Sequence, residues 1–115
     1  MYRQGDVLLV PVSADEVPSK SKRKNVPRKR GEGVILAAGE ATGHHHRVRE
    51  RGAREYVSNG ERYLFTGKAG GTVTHEEHDS ITLPPNGVFK IVQQREYEPV
   101  IRDNTVRASE RRVYD

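Results

Sequence analysis

The sequence predicts an all-β fold, a small single-domain barrel or sandwich. Three observations lead there. Short apolar or β-branched runs, roughly six to eight of them, recur at intervals of about 8–12 residues, the spacing of strands in small sandwiches and barrels. Glycine, proline and asparagine punctuate the gaps. No long stretch carries a clean helical period of apolar residues.

The runs follow in order. Residues 7–12 (VLLVPV) are apolar on both faces and stop near a proline, which reads as a short buried strand. Residues 33–39 (GVILAAG) form a second run closed by glycines. Residues 55–58 and 61–66 flank Asn59-Gly60. Asn-Gly between strand-like runs is the strongest short-range hairpin signal, because both residues tolerate positive φ. Gly70-Gly71-Thr72-Val73-Thr74 opens another strand, Ile81-Thr82-Leu83 a further one, and Pro84-Pro85-Asn86-Gly87 turns the chain into 88–97, the longest β-like segment. After Pro99 the apolar residues thin out among arginines, and 99–115 reads as an arm or a short helix beyond a β domain of 1–98.

Composition narrows the function classes. The chain has 115 residues, enough for one domain rather than two. Only 33% of it is apolar and 31% is charged, with no Trp and two Phe, so the core is thin. Cysteine is absent, which excludes disulfides and thiolate metal sites. No apolar run approaches the length of a membrane-spanning helix, and the N-terminus lacks a signal-peptide pattern. The expected compartment is therefore the cytoplasm.

Two leads remain. The first is charge. There are 20 Lys+Arg against 16 Asp+Glu, a net charge of +4. The excess concentrates in residues 13–31, read as a long basic loop joining the first two strands. There Lys20, Lys22, Arg23, Lys24, Arg28, Lys29 and Arg30 stand with no acid among them. Cations crowded in this way gain most from a polyanion that neutralises them and releases counterions. Nucleic acid, RNA favoured over DNA, is the expected partner, with Arg111 and Arg112 of the tail as a second contact. A solvated charge run is the plain alternative.

The second lead is histidine. All five fall in two places, His44-His45-His46 and the His75/His78 pair of THEEH. On a strand at 44–50, His44 and His46 share a face and His45 points the other way. Imidazoles converging from two strands suit Zn, Fe, Mn or Ni, with His44, His46, Glu50, His75 and His78 as candidate ligands. A metal-free alternative uses His46 and His78 as general acid and base. An exposed polar strand edge is the plain reading of the same residues.

The segment GEATGHHHRVRE, with Gly39, His44, His46 and Glu50, resembles the first cupin motif, although Gly39 stands one residue too close to the histidines. DSITLPPNG resembles the core of the second, with Lys90 where that motif carries a histidine. The resemblance implies a double-stranded β-helix with a metal on His44, His46 and Glu50, completed by His75 or His78, and a metal-dependent enzyme acting on a small molecule. The overall pattern also resembles small bacterial or phage proteins, which opens a third reading as a structural or assembly protein forming homo-oligomers or larger arrays.

Overall fold

The computed structural model describes residues 1–38 and 44–94 and, beyond them, the strand segments 96–97, 100–102, 105–107 and 112–113. The described fold is all-β. Ten strands build two antiparallel sheets: β1 (Tyr2–Gln4), β2 (Val7–Pro11), β3 (Lys24–Val26), β4 (Val34–Ala38), β5 (His45–Val48), β6 (Arg54–Ser58), β7 (Glu61–Phe65), β8 (Gly71–Thr74), β9 (Ile81–Leu83) and β10 (Val88–Gln93). One sheet runs β1-β2-β10-β7-β6-β3, the other β4-β5-β8-β9. The two sheets stay separate, so of the two expected architectures the sandwich is the one formed.

The turns are those the sequence chemistry demands. Ser58 pairs with Glu61 across Asn59-Gly60, and the two loop residues sit at φ 52° and 76°. Positive φ at both positions is what a two-residue I′ hairpin needs. Gln4 pairs with Val7 across Gly5-Asp6, with Gly5 at φ 57°. That hairpin starts the chain and was not among the strands expected from sequence.

The core lies between the sheets. Val7, Leu9, Leu64, Phe89 and Ile91 come from the larger sheet, and Val34, Leu36, Val48, Val73 and Leu83 from the smaller. Two arginines tie loops and sheets to this core. Arg62 of β7 donates to the carbonyls of Leu36 (2.8 Å) and Ile35 (3.2 Å), where β4 bulges, and pairs with buried Glu55 at 2.7 Å. Arg28 donates to four carbonyls, of Arg49, Glu50, Arg51 and Ala53, at 2.6–3.1 Å.

Three expectations are corrected. Residues 13–31 are not one open loop. They hold two short 3-10 turns (Ala14–Glu16 and Lys20–Lys22) and β3, which pairs with β6 at the sheet edge. The ladder uses backbone groups, so a strand of Lys24, Asn25 and Val26 forms where the side chains signal only charge. Residues 88–97 divide into β10 and β11 (Glu96–Tyr97). In the tail, expected as an arm or a short helix, the described residues form strands, so only the helix alternative is corrected: β12 (Val100–Arg102) pairs with β13 (Thr105–Arg107), and β11 with β14 (Arg112–Val113). Val, Ile and Thr dominate the β12–β13 pair, and β-branching disfavours helix.

Candidate metal centre

Three polar loop ends meet at one rim of the smaller sheet. The register Arg47↔Thr74 between β5 and β8 sets His46 opposite His75. The turn after β8 carries His78 back over them, and the β1–β2 hairpin closes the site from below. A Cβ on Gly5 would lie 2.9 Å from His78 Nε2 and 3.2 Å from His46 Cε1, so the hairpin backbone sits directly against the two rings, and its φ of 57° favours glycine. The rings of His46 and His75 are 4.3 Å apart, those of His75 and His78 4.6 Å, and those of His46 and His78 5.7 Å. One ring nitrogen from each of the three can be chosen so that all lie within 4.8 Å of one another. These residues could hold a metal ion.

His46 is the most defined member, only 2% exposed. Gln4 fixes its tautomer. The Gln4 amide nitrogen donates to the carbonyls of Val73 (3.0 Å) and Asp79 (2.9 Å), which turns its Oε1 toward His46. His46 Nδ1 lies 2.8 Å from that oxygen and must therefore donate. In the neutral ring the lone pair is then on Nε2. Nε2 faces Asp6 Oδ1 at 3.4 Å, while Asp6 Oδ2 accepts from Gln93 at 2.8 Å. Burial, reinforced by the neighbouring His75, pushes the His46 pKa down to about 4, and nearby Asp6 does not overcome them. The unprotonated Nε2 of neutral His46 therefore faces an oxygen of the Asp6 carboxyl group.

His75 is less prepared. Its Nδ1 accepts the Glu77 amide at 3.0 Å, so its neutral form carries the proton on Nε2. Coordination requires it to release that exposed bond or switch tautomer, at a cost of about 1 kcal/mol. Burial and the adjacent His78 also lower its pKa. His78 is exposed and opens the site to solvent.

A second donor group adjoins the first. Nitrogens of His44 and His75 and a carboxylate oxygen of Glu76 also lie within 4.8 Å of one another. His44 Nδ1 is buried, accepts no hydrogen bond, and stands 3.7 Å from Glu77 Oε2. The His45 amide donates to Glu76 at 3.0 Å and holds that carboxyl below its ordinary pKa.

The sequence-derived candidates divide accordingly. His44, His46, His75 and His78 converge. Glu50 joins neither donor group: four residues beyond His46, it is about 13 Å along an extended chain. Although burial opposes its charge, the Thr72 amide, donating at 3.0 Å, holds Glu50 below the usual carboxylate range. The Gly39 side of the cupin-like segment lies outside the described residues. Gln4 and Asp6 were missed, and the one available signal was the Gly5-Asp6 turn before the first apolar run. Of the basic residues, Lys20, Lys22, Lys24, Lys29 and Arg30 are exposed. Arg23 is half-buried over the rings of Tyr56 and Phe65 (4.7 and 4.6 Å), and Arg28 is spent on backbone carbonyls. Arg111 and the Arg112 side chain lie outside the described residues. No helix among the described residues is long and apolar enough to cross a membrane.

Fold and site together define a small antiparallel β sandwich with a histidine cluster at one rim. Residues 3–94 match the domain of unknown function DUF8820, and the chain belongs to that family. No curated protein and no solved structure matches it.

Proposed function

We propose that this chain is a metal-binding β domain in which His46, His75 and His78 hold one divalent transition ion, with Asp6 beside His46 as an orienting neighbour. The observation that carries the reading is the convergence of three imidazoles: one ring nitrogen from each of His46, His75 and His78 lies within 4.8 Å of the others, around a buried His46. Three imidazoles suit zinc and its neighbours. A metal-free acid–base role for His46 and His78 is less well supported, because a base with pKa about 4 is far from the optimum at neutral pH. The cupin-like reading draws on His44, His46, Glu50 and His75 or His78; it is less well supported because Glu50 is in neither donor group. Cytoplasmic location remains part of the reading on the cysteine-free composition.

The test is calorimetric titration of tag-free protein with zinc. One equivalent is expected to bind, with affinity lowered at least about 100-fold by His46→Ala and about 10–100-fold by Asp6→Asn. No binding by the wild type, or equal binding by His46→Ala, overturns it.

A second reading rests on a separate observation. Five cations of segment 20–30 are exposed, and no ion pair among the described residues uses them. We read this face as a nucleic-acid contact, RNA favoured, with β3 as its edge.

A further inference from the structure

The second donor group has no role in the site proposed above. His44 supplies a buried Nδ1 that no hydrogen bond satisfies. Glu76 supplies a carboxylate held in place by the His45 amide at 3.0 Å. The His44 ring stands edge-on to His75, centroids 5.7 Å apart. His75 belongs to both groups. A neutral imidazole has a single lone pair to give a metal. His75 can therefore serve one group or the other, not both at once.

We propose that His44, His75 and Glu76 form a second, outer metal position, filled alternately with the inner one because both depend on His75. The inference rests on the metal-binding reading. The outer position takes a divalent ion of intermediate softness, with two nitrogens and a carboxylate oxygen. Its donors are more exposed than His46, so it is expected to be the weaker of the two. The ion then has a path between solvent and the buried imidazole along a shared ligand.

The test uses the full chain and Cu(II), whose electron paramagnetic resonance counts bound nitrogens, with Zn(II) titration for stoichiometry. His78 is exposed, so His78→Ala removes an inner ligand without opening the core. The wild type is expected to bind one equivalent. His78→Ala is expected still to bind one, about 10-fold or more weaker, with two nitrogens and an oxygen. Adding Glu76→Gln, or separately His44→Ala, to that variant should weaken binding at least a further 10-fold. The inference fails if the wild type binds two equivalents, if His78→Ala binds none, or if Glu76→Gln leaves the affinity of His78→Ala unchanged. A wild type that binds no metal at all removes the parent reading instead.

Discussion

At the scale of single residues, the account turns on how Gln4 sets the chemistry of His46. The two carbonyls that hold the Gln4 amide leave only its oxygen for the imidazole, and so leave the Nε2 lone pair for a ligand. Gln4→Met keeps most of the volume and removes the lock; zinc affinity is expected to fall about 10–100-fold by calorimetry. The His46 pKa also predicts a pH dependence. The group binds its proton less readily when folded, at about 4 against the ordinary 6.5. Between those values the unfolded chain holds more protons, so stability rises with pH across that window and is lost as pH falls toward 4. Denaturant unfolding of metal-free protein should show a loss of at most ~3 kcal/mol between pH 7 and pH 4 from this group, reduced in His46→Gln. None of this was legible in the chain. Five histidines in two groups announced a cluster, but a glutamine and an aspartate beside a glycine carry no such signal. Glu50 matched a motif by spacing, but it lies beyond the end of β5 and its carboxylate accepts the Thr72 amide.

At the scale of elements, legibility followed the turn chemistry. Asn59-Gly60 identified β6 and β7 because its φ values admit few alternatives. β1 and β3 escaped notice because three-residue strands with polar side chains are held by the ladder and by their neighbours. β3 is fixed at its N-terminal end by Arg23 on Tyr56 and by Ser58 donating to the Lys22 carbonyl at 2.8 Å. The same holds for the arginine clamps, which look like surface charge in sequence. Arg62→Met would leave Glu55, 7% exposed, without its partner. A cost of about 1–3 kcal/mol in chemical denaturation is expected, with only part of it recovered by the double change Arg62→Met/Glu55→Met, because the Leu36 and Ile35 carbonyls also lose their donor.

At the scale of the whole molecule, the fold class was readable because turns and apolar runs alternate along residues 7–93, while the choice of sandwich over barrel depended on pairings far apart in sequence. The two functional leads occupy different places, the metal site at the rim where β1, β5 and β8 end, the exposed cations around the β3 edge. They are therefore separable by experiment. If all five exposed cations meet phosphates, RNA affinity should fall with a log–log salt slope of about −3.5, flattened by changing Lys20, Lys22, Lys24, Lys29 and Arg30 to Ser while zinc binding persists. A slope near zero removes the nucleic-acid reading and leaves the metal site standing. The most direct measurement is nitrogen-15 NMR of the histidine side chains at pH 7, before and after addition of cadmium-113. His46 should be neutral with its proton on Nδ1, and its Nε2 should couple to the metal. An imidazolium at His46, or an Nε2 unchanged by the ion, would contradict the account.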